Sequence, residues 1–125
     1  MSIYGIGTDI VDVKRIALKQ KHKGFFERVF TQNEISYCLK QANDEQHFAA
    51  RFAAKEAYMK AMGSGWMAQA DFKDIEVKRN ENGAPYIQLH GKTLDFFNAL
   101  NLKKILVSLS HTKRSAIAFV IIESE

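Results

Sequence analysis

The chain has 125 residues, 46% of them hydrophobic and 26% charged, which suits one globular domain over residues 1–125 and excludes a disordered tract. A net charge of +4 favours acidic partners: nucleic acid, a phosphorylated small molecule, an acidic protein or an anionic membrane surface. A single cysteine, Cys38, excludes an intrachain disulfide; no apolar run reaches the roughly 18 residues a bilayer span needs, and the start lacks the features of a signal peptide, so a cytoplasmic location is expected.

Residues 3–11 mix β-branched side chains with Gly5 and Gly7, which predicts a buried strand with close backbone neighbours and Asp9 near its end. Residues 11–19 read as a short helix carrying Lys14 and Arg15, followed by a basic, solvated loop over 19–24. Thr31 and Glu34 have the spacing of a capping box, predicting a helix from there to about residue 41. Asn43 and Asp44 offer caps for a long helix over 45–62, and the glycines at 63 and 65 would stop it. Ile75 and Val77 alternate with polar residues, a turn follows at 80–83, and residues 86–90 resume the extended pattern after Pro85, so a hairpin is predicted. Leu94, Phe97 and Leu100 mark the inner face of a short helix, and strands over 104–110 and 115–123 meet at a turn around His111 and Thr112. The order β-α-α-α-β-β-α-β-β predicts an α+β fold, a mainly antiparallel sheet with helices packed on it.

The long helix carries the most informative pattern. Arg51 lies one turn before Lys55, and Glu56 one turn before Lys60, on two stripes about 100° apart in a segment otherwise rich in Phe, Ala and Met. Charge in an enclosed helix needs compensation by a partner, a metal or an anionic ligand. Asp9 and Glu56 could together hold a magnesium ion, which takes one or two protein carboxylates and shares phosphate oxygens from its substrate. Equally, Asp9 could cap the following helix and Glu56 pair with Lys60 at i,i+4. Arg51, Lys55 and Lys60 could meet phosphate or only snorkel at a helix edge. His111 stands at a strand end, where a side chain can project into a cleft, and Lys14, Arg15, Lys21, Lys23 and Arg28 could form a basic surface for an acidic protein or remain solvated.

Gly5-Ile-Gly7-Thr-Asp9-Ile, Lys14-Arg15-Ile16, Phe30-Thr31 with Glu34, Arg51-Phe-Ala-Ala-Lys55-Glu56-Ala-Tyr-Met-Lys60, Asn82-Gly83-Ala-Pro85-Tyr86 and Ser108-Leu-Ser110-His111-Thr112 fall in one order along the chain. Together they resemble the small bacterial holo-acyl-carrier-protein synthases, which are 4'-phosphopantetheinyl transferases of fatty acid biosynthesis. Thr8, where an aliphatic residue is frequent, is the departure. The resemblance implies a homotrimer with sites between neighbouring subunits and transfer of phosphopantetheine from coenzyme A to a serine of an acyl carrier protein. It implies Asp9 and Glu56 as magnesium ligands with Lys60 beside the same phosphates, and Arg51, Gly65, Pro85, His111 and Thr112 lining the nucleotide pocket. Arg15, with Lys14 and Arg28 behind it, would receive the carrier protein. The rival readings are a basic nucleic-acid-binding domain, which would have no need of magnesium, a metal-dependent phosphohydrolase using the same carboxylates, and a purely structural, oligomeric interaction domain.

Overall fold

The computed structural model describes residues 1–63 and 71–125. In chain order these form β1 (Ser2–Asp12), α1 (Val13–Lys19), α2 (Phe25–Val29), α3 (Gln32–Leu39), α4 (Asp44–Met62), a 3-10 turn (Phe72–Asp74), β2 (Ile75–Arg79), β3 (Pro85–Leu89), α5 (Gly91–Ala99), β4 (Leu102–His111) and β5 (Ser115–Ser124). The α+β class and the antiparallel pairing agree with the sequence reading, but the strands divide into a three-stranded sheet ordered β1-β5-β4 and a separate β2-β3 hairpin. No helix among the described residues is long and apolar enough to cross a membrane.

Helix α4 is the centre of the molecule. Its 19 residues lie across the inner face of β1 and β5, with Phe48, Ala53, Ala54, Ala57 and Tyr58 fully enclosed. The helix starts after Asn43, has Asp44 and Glu45 in its first turn, where they complement the dipole, and ends at Gly63, whose φ of 100° suits glycine. Its approach to β1 depends on two missing side chains. A Cβ on Gly7 would lie 2.7 Å from the Ala61 backbone nitrogen and closer still to the Ala57 carbonyl, and one on Gly5 would strike the Ala61 carbonyl. Gly7→Ala is therefore expected to push backbone from backbone at a cost of at least about 3 kcal/mol, the upper end of overpacking, read as a lowered midpoint of thermal unfolding followed by circular dichroism.

Four departures from the sequence reading have physical causes. Strand β1 is an edge strand: Gly5, Gly7, Asp9 and Val11 face α4, while Ile6 and Ile10 are 56% and 65% exposed on the other face, so the predicted burial holds for one side only. A helix the sequence reading did not include, α2, intervenes before α3 because Phe25 and Val29 are drawn into the core and Phe26 stacks on Phe48 at 4.6 Å. In α5 the inward residues are Thr93 and Phe97, whereas Leu94 and Leu100 are 37% and 38% exposed; the Thr93 hydroxyl donates to Asp74 Oδ2 at 3.1 Å and fixes the helix in that rotation. Lys55, read as a phosphate-facing or snorkelling cation, is wholly buried and donates to Glu34 Oε1 at 2.8 Å and to the carbonyls of Phe72 and Ile75.

Candidate active site

The alternation of β1 aims Asp9 at α4, and Gly5 and Gly7 bring the helix close enough for that to matter. Neither bland alternative for the two carboxylates holds among the described residues. The cap of α1 is Asp12, whose Oδ1 accepts the Lys14 N–H at 2.9 Å, so Asp9 is left for another task. Lys60 reaches across to Asp9 Oδ1 at 2.9 Å and to the Thr8 carbonyl at 3.1 Å instead of pairing with Glu56 along the helix. The Lys60 side chain is 50% exposed and that of Asp9 13%, so the pair contributes on the order of 1 kcal/mol or less and can rearrange when a more strongly charged group arrives. Thr8 is accommodated: its hydroxyl donates to the Ala118 carbonyl on β5 at 3.1 Å.

Glu56 shows the electrostatic character of the place. Burial raises its carboxyl above the ordinary value, the Asp9 carboxylate raises it further, and Lys60, Lys19 and Arg15 pull it down. Two acidic groups that repel each other, with cations around them, are what a hard divalent ion would relieve. The described residues hold no cluster of three or more acidic, histidine or cysteine side chains suited to a metal, so an ion here would draw its remaining oxygens from substrate and water. The donor set fits magnesium on those terms.

Glu56 lines a cavity of about 1330 Å³ whose wall includes Phe25, Phe52 and Phe72, with the cations Lys19, Arg28, Lys73 and Lys92 and the carboxylates Glu27, Asp71 and Asp74. Phe52 and Phe72 stack at 5.5 Å, and the Lys19 ammonium lies 5.8 Å from the Phe52 ring centre. These aromatics are functional candidates the sequence reading passed over, since nothing in their spacing distinguishes them from core. Of the three predicted basic contacts, Arg28 on α2 lines this cavity, Arg15 on α1 is exposed and acts on the Glu56 carboxyl, and Lys14 is exposed on α1 and is not among the residues lining the cavity.

A second cleft, of about 340 Å³, opens elsewhere along α4 and is lined by Arg51, Tyr37, Arg79 and Tyr86. Arg51 is only 2% exposed, its guanidinium lies 4.4 Å from the Tyr37 ring centre, and its Nε and Nη1 have no hydrogen-bond acceptor among the described residues. A buried guanidinium with free N–H groups is suited to an anion. The His111 ring sits nearby, 5.4 Å from that of His47, one turn before Arg51 on α4. Pro85 begins β3 opposite Arg79. The Thr112 hydroxyl accepts from the backbone of Arg114 and Ser115, so it shapes the β4–β5 turn. Gly65 lies outside the described residues. One chain thus brings Asp9, Glu56 and Lys60 together and sets His111 against His47, one turn from Arg51, but the Glu56 and Arg51 cavities share no residue.

Comparison with known proteins matches this arrangement to a family. The holo-[acyl-carrier-protein] synthases of Geobacter metallireducens and Clostridium kluyveri are 43% and 46% identical to the chain over 123 residues, covering 97% of it and 98% and 90% of their own lengths. Among solved structures, the holo-[acyl-carrier-protein] synthase of Neisseria meningitidis superposes with a TM-score of 0.89 at 31% identity, covering 98% of this chain and 100% of that one. The Bacillus anthracis synthase, solved in complex with CoA (3',5'-ADP), gives 0.80 at 34% identity, with 98% of each chain covered. With residues 5–120 matching its family description, the chain belongs to the 4'-phosphopantetheinyl transferase superfamily.

Proposed function

We propose that the protein, acting as a single catalytic domain, transfers the 4'-phosphopantetheine group of coenzyme A to a serine of an apo acyl carrier protein, releasing adenosine 3',5'-bisphosphate, in fatty acid biosynthesis. The observation that carries the reading is the meeting of Asp9, Glu56 and Lys60 between β1 and α4, at the edge of a large cavity lined by both cations and carboxylates. The serine oxygen forms a bond to the β-phosphorus as the bond to the nucleotide phosphate breaks. Held by Asp9 and Glu56, a magnesium ion would supply positive charge to the pyrophosphate oxygens. Lys60, poised on a weak and half-exposed pair with Asp9, turns its ammonium to the phosphate as negative charge builds there. Glu56 is the base this chain offers for the serine proton, its carboxyl raised by burial and by Asp9.

Arg51 and His111 are assigned to the nucleotide phosphates on the strength of the free Arg51 N–H groups, and Pro85, Thr112 and Gly65 to the same nucleotide pocket on the family resemblance alone. Since Arg51 lines a different cavity from Glu56, a complete site calls for the Arg51 cleft of one copy to face the Glu56 cavity of the next. The outer sheet face supports such an assembly: Ile6, Ile10, Leu106, Ile117 and Phe119 are each at least 41% exposed on one side of the sheet, a clustering of apolar side chains suited to contact with another copy. We infer a cytoplasmic homotrimer, which sedimentation equilibrium would test.

Incubating the protein with coenzyme A, magnesium and apo acyl carrier protein, then weighing the carrier by intact mass spectrometry, tests the whole reading. A gain of one phosphopantetheine that a chelator abolishes is expected; an unchanged carrier mass would refute it. Within that assay, Arg15→Glu is expected to raise KM for the carrier about tenfold with coenzyme A affinity kept, because the substitution reverses a charge that would face an acidic partner. Equal loss of both affinities would remove Arg15 from docking. Nothing supports the nucleic-acid, phosphohydrolase or purely structural readings over this one.

A further inference from the structure

Beside the Arg51 cleft, against the ring of Tyr37 in its wall, stands an ionisable group the transfer reaction does not call for. His47 lies one turn before Arg51 on α4, its ring edge-on to His111 at 5.4 Å and 62° and to Tyr37 at 5.9 Å and 70°. The charged and titratable groups that act on it come from every side: Arg51 and Asp44 on α4, His111 on β4 and Arg79 on β2. Asp44 alone among them is acidic. Arg51 also keeps two buried N–H groups without an acceptor among the described residues, as His111 keeps its Nδ1. Positive charge thus gathers where two Arg51 N–H groups lack an acceptor among the described residues, and the His47 imidazole stands beside them.

We propose that His47 is a proton-coupled member of this anion site, taking up a proton as a phosphate group of coenzyme A settles against Arg51 and His111, so that phosphate affinity in the pocket is tuned by pH. The inference rests on the nucleotide reading of Arg51 and His111 given above. Physically, burial together with the positive charge of Arg51 holds His47 below its ordinary value, so it is neutral near pH 7 while the pocket is open. A phosphate dianion bound against Arg51 offsets those cations and raises the neighbouring imidazole again. Linkage then fixes the sign. A ligand that raises a group's pKa binds most tightly below that group's free value, and the advantage is lost as pH rises through the bound value. A rise of one unit makes binding about tenfold tighter at low pH.

The test is isothermal titration of coenzyme A, at fixed magnesium, into the wild type and His47→Phe from about pH 5.5 to about pH 8.5. Phenylalanine keeps the ring contacts with Tyr37 and His111, and titration of the ligand's own phosphates is common to both proteins. The wild-type advantage over the variant is expected to be about tenfold larger at the acid end than at the alkaline end. In parallel, the His47 ring resonance, assigned by its loss in the variant, should titrate about one unit higher in the saturated complex. A wild-type to variant ratio that is constant with pH, or a His47 midpoint unmoved by coenzyme A, would overturn the proposal and leave the transferase reading standing. Failure of coenzyme A to bind the wild type would overturn both.

Discussion

Glu56→Gln is expected to lower phosphopantetheine transfer by at least about a hundredfold while leaving the protein folded and no less stable than the wild type. The substitution keeps the shape of the side chain and removes its charge, and so removes half of the carboxylate pair proposed to hold magnesium. It also removes a liability. Glu56 is half-buried and close to Asp9, and burial followed by that like charge raises its carboxyl. A carboxyl whose folded value is raised destabilises the fold above that value, and the penalty is relieved as pH falls through the window from the folded value down to the ordinary 4.5. Glutamine carries no such penalty at any pH. Thermal unfolding in chelator should therefore show the variant at or above the wild-type midpoint near neutral pH, with the difference closing in acid, while intact-mass assays show the loss of transfer. Near-normal transfer at saturating magnesium would sink the assignment of Glu56, and a collapsed midpoint would recast it as structural.

Lys55→Met is expected to have the largest effect on stability, about 3–5 kcal/mol, a large part of the 5–15 kcal/mol that holds a typical domain together. Lys55 is wholly buried, and its ammonium donates to Glu34 Oε1 at 2.8 Å, to the Phe72 carbonyl at 2.9 Å and to the Ile75 carbonyl at 2.6 Å. Glu34 in turn accepts the N–H groups of Thr31 and Val77, both at 2.9 Å. Burial pulls the lysine down and Glu34 pulls it back up, so each charge is tolerable because of the other. Methionine fills the space but leaves a buried carboxylate and two carbonyls short of a donor. Urea unfolding should show that Glu34→Gln combined with Lys55→Met costs clearly less than the sum of the two single changes, the mark of a coupled pair. Additive losses, or a single loss below about 1 kcal/mol, would mean that the pair does not hold this region.

The same pair shows where reading the sequence stopped. Thr31 and Glu34 were legible as a capping box, and both reciprocal bonds are formed. What the spacing could not convey is that Glu34 also reaches Lys55, because a partner 21 residues away is set by how α3 lies on α4. The long helix, the hairpin with Pro85 at a strand start and the last two strands were legible from periodicity and turn chemistry. Helix α2 was not: five residues after a glycine with φ of 81° and no side-chain cap give too short a window for a 3.6-residue period. Leu94, Phe97 and Leu100 do form a stripe, but the bond from Thr93 to Asp74 sets which stripe faces in. At the site, Asp9 and Glu56 stand 47 residues apart, and spacing alone left them ambiguous. Their meeting depends on the small cross-section of Gly5 and Gly7. His47 was missed although it stands at i,i−4 from Arg51, a spacing that puts the two on one helix face.

Strand β5 lies between β1 and β4, and its Ala118 pairs with Asp9 itself. It is also the described strand that the ribosome makes after all the others, so the sheet cannot close around its middle until every other described element has emerged. Until then β1 has no hydrogen-bonded neighbour in its sheet, and the acidic pair has no rigid floor. The distance in sequence between β1 and β5 makes that closure a long-range event, the kind that slows folding. Competence for chemistry therefore arrives late and in one step, and a nascent chain halted before residue 115 would be expected to carry the carboxylates without the place that gives them a purpose.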